Sequence, residues 1–379
     1  MVVHTWIRLG HNLQLTNTFK IKEGKLMKKG FVVISLLLVL LMVFASGCGN
    51  LTPNKTEEPA AEPEKTETKE EVAKAEYVLK LGYGGATTNP RHLTAEKFKA
   101  WVEEESKGKI QIDLYPSEVL GTDKQMIEMI MMGNLDLSIN SQSLLSNHEP
   151  KMSIVELPFL FDNTEQAGKI LDGAIGEEIA KDLPAKGIRI LAYWENGIRQ
   201  VTNSVRPVEK PEDLKGLKLR APESKMTIDI FKSLGAQPTP FNFAELYLAL
   251  QQKTFDGQEN PITNIYASKF YEVQKYISIT NHKYESCPMI ASEKVWQTLP
   301  ADVQELLKEG AVKFAQEHRK MVAENETGWL EDLAAKGMTV SKPNLDPFRE
   351  ATKGVYEKWE PVLGKDMIER VQNEIKSMK

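Results

Sequence analysis

The sequence predicts an α/β protein of two lobes, each a sheet flanked by helices, with one long helix lying across both. Three observations predict it. Segments that alternate apolar and polar residues are interleaved with segments of helical spacing through residues 77–197, the pattern of a mostly parallel sheet with helices on its faces. The same pattern restarts after residue 200. From Ala301 to Lys336 helical spacing then runs past Gly310 and Gly328 without a clear stop, well beyond the usual helix length.

The elements follow in order. "YVLKLGYGG" alternates Tyr77, Leu79, Leu81 and Tyr83, then breaks at glycines, giving a strand and a turn. "TAEKFKAWVEEES" reads as a helix with Thr94 as its cap. "KIQIDLYP" is a strand, and "TDKQMIEMIMMGN" a helix capped by Thr122 and stopped by Gly133. "LDLSIN" is a strand, "NTEQAGKILDGAIGEEIAKDLPAKG" an interrupted helix, and "IRILAYWENG" a strand that Arg199 follows. In the second half "LKGLKLRAP" is a strand and "SKMTIDIFKSLG" a helix with Ser224 as N-cap. "AELYLALQQK" is a second helix, and "FDGQENP" a short strand and polar loop in which Gly257 permits a turn. "YEVQKYISITNHKYES" and "PMIASEKVWQTL" return to strand character.

The first 76 residues do not belong to this body. Met27-Lys28-Lys29-Gly30, an apolar run from Phe31 to Ala45 and "SGCGN" form a basic region, an apolar region and a small-residue cleavage site. A run of 15 residues is short for a membrane span, which takes about 20 apolar residues. "FASGC" is similar to a bacterial lipobox, so Cys48 is expected to become a diacylated first residue that holds the protein extracytoplasmically on the cell membrane. Lys22-Glu23-Gly24 can be encoded by a ribosome-binding sequence just ahead of Met27, so Met27 is the expected start and residues 1–26 a mis-assigned extension. Residues 48–76 are rich in Glu, Lys, Pro and Thr and nearly free of large apolar side chains; such a segment is an expected disordered tether. The organisation expected is thus 27–47 signal peptide, 48–76 tether, 77–198 plus about 286–325 lobe I, and 199–285 plus about 326–368 lobe II.

Composition narrows function. The formal net charge is −5, and residues 1–47 carry six Lys/Arg and one Glu, so the rest of the chain carries −10. That argues against nucleic acid as a partner. With Cys48 set aside only Cys287 remains, so no disulfide framework is expected; a lone cysteine in "YESCPMI" reads as a buried apolar residue. The six histidines form no H-E-x-x-H and no metal-ligand spacing with cysteine. "GYGGATTN" lacks the Lys-Ser/Thr of a phosphate loop, and no G-x-S-x-G elbow occurs. Neither a cofactor nor a metal nor an enzyme activity is therefore expected.

Arginine is the informative residue. Eight follow Cys48, against 34 lysines, and Arg199, Arg206 and Arg220 fall within 22 residues. A guanidinium is planar and grips a carboxylate with two parallel hydrogen bonds. Arg199 and Arg220 stand at strand ends, where open α/β sheets bind ligands; Arg206, beside Pro207, is a weaker candidate. In "FDGQENP" Asn260 is a candidate amide donor to a ligand oxygen. Phe241 and Phe243 read first as core packing.

Taken in order and at their spacing, "SEVLGTDKQMIEMIMMGNLDL", "LPFLFDNTEQA", "NGIRQVTNS", "LKGLKLRAPES", "FAELYLALQ", "DGQENP" and "KFYEVQKYI" resemble the solute-binding proteins of TRAP transporters, the DctP-type family, over about residues 78–365. The resemblance implies a periplasmic-binding-protein-like fold of class II type, with two α/β lobes, crossing strands and a helix spanning both. It implies capture of a small carboxylate in the cleft and delivery to TRAP membrane permease subunits; a sensor subunit would share these features. By position, Arg220 resembles the principal carboxylate-binding arginine, Arg199 a second cleft arginine, and Asn260 a supporting asparagine. Ser224 and Phe243 fall at cleft-lining positions, and Glu259 at one that orients the network. Sialic-acid binders carry a Glu and an Arg where this chain has Ser141 and Leu144, and an Asn where it has Gly84. A smaller acid is expected, C4-dicarboxylates first and hydroxy or sugar acids next, with Trp194, Asn140 and Gln142 placed to influence the choice.

Overall fold

The structure is a computed structural model that describes residues 74–378. The expected extension, the signal peptide, Cys48 and most of the tether lie outside the described residues. Ten strands are present among the described residues: β1 (Tyr77–Tyr83), β2 (Ile110–Tyr115), β3 (Leu137–Ile139), β4 (Ile188–Asn203), β5 (Lys218–Ala221), β6 (Gln237–Pro240), β7 (Gly257–Pro261), β8 (Tyr276–Ser278), β9 (Tyr284–Ser292) and β10 (Thr339–Ser341).

Their order is β2-β1-β3-β9-β4-β7-β5-β6, with β8 on β4 and β10 on β8. The outer pairs β1/β2, β1/β3, β5/β6 and β5/β7 are parallel, as the alternation predicts. The centre is not. β9 runs antiparallel to both β3 and β4, and β4 runs antiparallel to β7 and β8. Each lobe is therefore a mixed sheet. Sixteen residues at about 3.3 Å rise make β4 roughly 50 Å long. Its first part, Ile188–Ile198, pairs with β9, and its last, Arg199–Asn203, with β7. Register shifts at Ile190/Ala192 and Glu195/Gly197 bend it between the two sheets. The expectation that the strand ends before Arg199 is corrected: the strand runs through that residue.

The long helix spans Ala301–Ala335, about 50 Å at 1.5 Å per residue. Val303, Leu307, Ala311 and Phe314 enter the core formed by β1, β2, β3 and β9 with the helix Pro90–Glu105. Leu333 enters a different core, with Leu246, Phe255, Ile262 and Phe270. One helix thus seals two cores. Gly310 persists inside it because two helices cross there: a Cβ would lie 2.7 Å from the Trp101 ring and 3.0 Å from Phe98. Gly328 faces open space.

Local signals place most boundaries. Thr122 forms a capping box with Gln125, and Gly133 ends the helix Asp123–Met132 in the left-handed region. Thr94 is not a cap. The helix begins at Pro90, and Asn89 accepts from the Arg91 N–H at 2.9 Å. Proline at the first helical position has no donor to leave unpaired and its φ is already helical. Gly257 also differs from expectation. It is no turn but the buried first residue of β7, and a Cβ there would lie 2.3 Å from the Thr202 carbonyl oxygen and 2.6 Å from the Asn203 Cβ. It is needed for close approach to β4.

Gly257→Ala should therefore lower unfolding free energy by about 1–3 kcal/mol, the typical cost of forcing atoms into a packed interior. A urea midpoint equal to that of the parent chain would contradict this packing argument.

Candidate functional site

The strand ends of the two sheets and the turns after them enclose a cavity of about 60 Å³. One side supplies Gly84, Arg91, Glu118, Asp123 and Ser141; the other supplies Arg220, Phe241 and Phe243 from the β5 and β6 region and Asn260 and Asn264 from β7 onward. Asn196 and Arg199 of β4 and Cys287 of β9 close the back. The two sides touch. The Ala244 N–H donates to Glu118 Oε2 at 3.1 Å, Asn89 Nδ2 donates to Asn264 Oδ1 at 3.0 Å, and Asn147 Nδ2 donates to the Glu223 carbonyl at 2.8 Å.

Two arginines on this wall are in opposite electrostatic conditions. Arg199 is 2% exposed and saturated with carboxylates. Its Nε and Nη2 make a fork with Glu259 at 2.5 and 2.7 Å, and Nη1 donates to Glu285 at 2.5 Å. Nη2 also reaches the Glu259 carbonyl at 2.7 Å and Asn260 Oδ1 at 3.2 Å. Burial opposes the Arg199 charge, but Glu259 and Glu285 outweigh it and raise the pKa. In return Arg199 holds Glu259 well below the usual range against burial. Lys283 and Arg199 together bring Glu285 down to about 2, also against burial.

Arg220 is 3% exposed and has no such partner. Its Nε donates to the Phe241 carbonyl at 2.8 Å, and neither terminal nitrogen has a hydrogen bond among the described residues. Burial therefore dominates and lowers its pKa to about 10. A desolvated guanidinium with two free donor groups at a cavity wall is the geometry for bidentate capture of an anion. Arg91 stands across from it. It donates to Asn196 Oδ1 at 3.1 Å and Cys287 Sγ at 2.9 Å, while its buried Nε has no partner.

The residues anticipated from sequence divide in two. Arg220, Arg199, Asn260, Phe243, Ser141 and Gly84 all line the cavity, as does Leu144. Asn260 Oδ1 accepts from Arg199 and Asn264, and its Nδ2 donates to Gln258 Oε1 at 2.5 Å. Ser224, Trp194 and Gln142 do not reach the cavity, and a direct ligand contact by them is corrected; Glu259, expected to orient the network, does not reach it either. Ser224 caps its helix through the Thr227 N–H at 3.1 Å and donates to Glu156 at 3.0 Å. Glu259 is turned to Arg199. The Trp194 indole N–H donates to the Ala311 carbonyl at 3.1 Å, because that side chain faces the long helix. Gln142 donates to the Met152 carbonyl at 2.6 Å and accepts from Ser286. Asn140 also sits behind the wall, donating to Asp123 at 3.2 Å. Arg206 binds the Asp213 and Lys215 carbonyls, away from the cavity. Sequence reasoning missed Arg91, Glu118, Asp123, Asn196 and Asn264. The scarcity of arginine could have flagged Arg91; nothing marked Glu118.

Replacing Arg199 by methionine should cost about 3–5 kcal/mol at pH 7, since Glu259 and Glu285 would stay buried without their partner. In the parent chain these carboxylates titrate below their unfolded value of 4.5, so their contribution is present above that pH and is lost as pH falls toward 2. Without Arg199 they titrate higher. The stability gap between parent and Arg199→Met should therefore narrow on acidification from pH 7 to 4. Urea denaturation across that range measures it, and a gap that stays constant or widens contradicts the assignment.

The comparisons with known proteins agree with this architecture. Residues 81–361 match the family model described as bacterial extracellular solute-binding protein, family 7 (DctP). The chain is 41% identical over 289 residues to the protein y4mM of Sinorhizobium fredii, covering 75% of this chain and 53%, about half, of that relative. It is 37% identical over 262 residues to the 2,3-diketo-L-gulonate-binding periplasmic protein of Escherichia coli, covering 69% of this chain and 80% of the relative. Among solved structures, a TRAP periplasmic solute-binding protein from Polaromonas sp. JS666 bound to D-erythronate is similar at 38% identity and TM-score 0.76, over 78% of this chain and 98% of that one. A two-lobed mixed-sheet body with a carboxylate-ready arginine in its cleft, matched over most of its length by such proteins, belongs to the bacterial extracellular solute-binding proteins of family 7.

Proposed function

We propose that this chain is the extracytoplasmic binding component of a TRAP transporter and captures a small organic acid through Arg220. The observation that carries the reading is the buried Arg220 guanidinium, which lines the cavity and whose terminal nitrogens have no hydrogen-bond partner among the described residues. A carboxylate there makes two parallel charge-assisted bonds and supplies the counter-charge that burial has removed. Contacts to both sides favour the closed arrangement, so the solute shifts the population toward it. The closed body is then presented to membrane permease subunits, and a lipid on Cys48 with its tether would keep the protein at the outer membrane face. Its role is to bind and deliver; chemical conversion of the solute is no part of this reading.

A hydroxylated monocarboxylate is the favoured solute. Opposite Arg220 the wall carries Glu118 and Asp123, which accept hydrogen bonds from hydroxyls and repel a second carboxylate. The similarity to relatives that bind D-erythronate and 2,3-diketo-L-gulonate supports the same class. Arg91 favours a second reading, a C4-dicarboxylate held between two guanidiniums, one on each side of the cavity.

A thermal-shift panel containing D-erythronate, galactonate and succinate separates the two. A ligand bound only by the folded state at 100 times its Kd stabilises it by about 2.7 kcal/mol. The hydroxy acids should raise Tm more than succinate; the reverse order supports the dicarboxylate. By calorimetry with the best acid of the panel, Arg220→Ala should lose at least tenfold in affinity, about 1.4 kcal/mol. Arg220→Lys should also lose affinity, because the planar fork is gone. Affinity unchanged in Arg220→Ala would remove Arg220 from the site.

A further inference from the structure

The acidic side of the cavity is built as carefully as the basic side. Ser117 and Glu118 both take left-handed φ, 58° and 57°. Their N–H groups donate to the Gly85 and Tyr83 carbonyls at 3.0 and 3.1 Å, which fixes this turn against the end of β1. The Glu118 carboxylate accepts from the Asp123 N–H at 3.3 Å and, across the cleft, from the Ala244 N–H at 3.1 Å. Asp123 accepts from Asn140 Nδ2 at 3.2 Å and the Ser141 N–H at 3.4 Å. The two carboxyls converge over Gly84. A Cβ on that residue would lie 3.1 Å from Asp123 Oδ1 and 3.2 Å from Glu118 Oε1. Any side chain at position 84 would displace one of them.

The charges facing this pair can be counted one by one. Lys124 and Glu223 meet at 3.6 Å at the rim. Behind the wall Arg199 and Lys283 are shared among three carboxyls, Glu259, Glu285 and Glu156. Cys287 is neutral, its thiol pushed up to about 12 by burial. Two guanidiniums, Arg91 and Arg220, remain to face two carboxyls, Glu118 and Asp123. Counted together, the protein's own groups already include one more carboxyl than cation. Yet among the described residues the buried Arg91 Nε and the Arg220 terminal nitrogens lack partners, which points to an incoming anion. That anion adds a negative charge that no remaining cation matches, in a site shielded from water. An uncompensated buried charge is relieved most cheaply by protonating a neighbouring acid.

We propose that the solute binds together with one proton, which is taken from solvent and held by the Glu118–Asp123 pair. The inference rests on the carboxylate reading of the cavity. The pair is prepared for it: burial, and next the Asp123 charge, push Glu118 up to about 7, and burial raises Asp123 as well. The solute anion moves the pair higher still, so the bound state holds the proton at pH values where the free state has released it. One carboxyl then donates its O–H to a neighbouring oxygen, and the other still accepts from a hydroxyl of the acid. The proton thereby also penalises a dicarboxylate, which would need a second one.

Linkage fixes the sign. Below about pH 6 both states hold the proton and affinity is flat; above about pH 7 each pH unit weakens binding by up to tenfold. The carboxyl of a hydroxy acid is ionised throughout this range, so it contributes no such slope; the second carboxyl of succinate titrates at the low end of the range, so with succinate the slope is read above pH 7. The experiment is titration calorimetry with whichever of D-erythronate, galactonate and succinate gives the largest thermal shift. It is run at pH 7.5 in buffers of different ionisation enthalpy, and Kd is measured from pH 5.5 to 8.5. Observed enthalpy should vary linearly with buffer ionisation enthalpy at a slope approaching one proton. In Glu118→Gln, and separately in Asp123→Asn, the slope should fall toward zero and Kd should lose its pH dependence. Binding with a buffer-independent enthalpy in the parent chain overturns proton uptake while leaving the carboxylate site standing. A proton slope that persists in both variants overturns the assignment to this pair. No thermal shift with any of the three acids overturns the carboxylate reading and this inference with it.

Discussion

The ion cluster at Arg199 is the constraint on which the rest of the structure depends. Arg199 sits on β4 where that strand leaves one sheet and enters the other. Glu259 reaches it from β7 and Glu285 from β9, so one guanidinium ties three strands of both lobes. Lys283 continues the chain of charges to Glu156 at 2.8 Å, and His282 leans on Glu259 at 3.1 Å. All of these groups are buried. Such a cluster is a poor source of net stability but a strict source of geometry, because any slip in register leaves a charge unpaired. It fixes the back wall of the cleft.

Against that wall the two cleft arginines take opposite roles for one reason, the supply of counter-charge. Arg199 meets two carboxylates and behaves as structure. Arg220, on β5 with β7 between it and β4, meets a single backbone carbonyl. The fold holds its charge in a desolvated place, with its fork turned to the cavity. That preorganisation is what a binding protein requires: the cost of desolvating the cation is met during folding, and an arriving carboxylate recovers it. On the function proposed above, the acid pair across the cavity would give the same device its selectivity, accepting hydroxyls and opposing additional negative charge.

Much of this was legible in the chain. Alternation located most strands, and Thr122, Gly133 and Ser224 marked helix ends, because these signals act within a few residues. Arg220 was legible by two routes, the scarcity of arginine and its place in an ordered series of motifs. Trp194, Gln142, Ser224 and Glu259 show the limit. Each lies within a residue or two of a true wall residue, and only contacts with distant parts of the fold, the long helix for Trp194, Ser286 for Gln142, Glu156 for Ser224 and Arg199 for Glu259, decide which neighbour faces the cavity. Glu118 was invisible, because its position depends on two consecutive left-handed residues that carry no glycine.

The sequence by itself determined the α/β class, the family, the long helix and the one arginine most fit to hold a carboxylate. These are encoded in local periodicity and in motifs a few residues long. Tertiary structure alone decided the antiparallel centre of the sheets, the neutralisation of Arg199 and the meeting of Arg91, Glu118 and Asp123 with Arg220. Those outcomes rest on contacts between residues far apart in the chain. A charge has no functional meaning until the fold sets its distance to its counter-charges and to water, and no stretch of sequence states that distance.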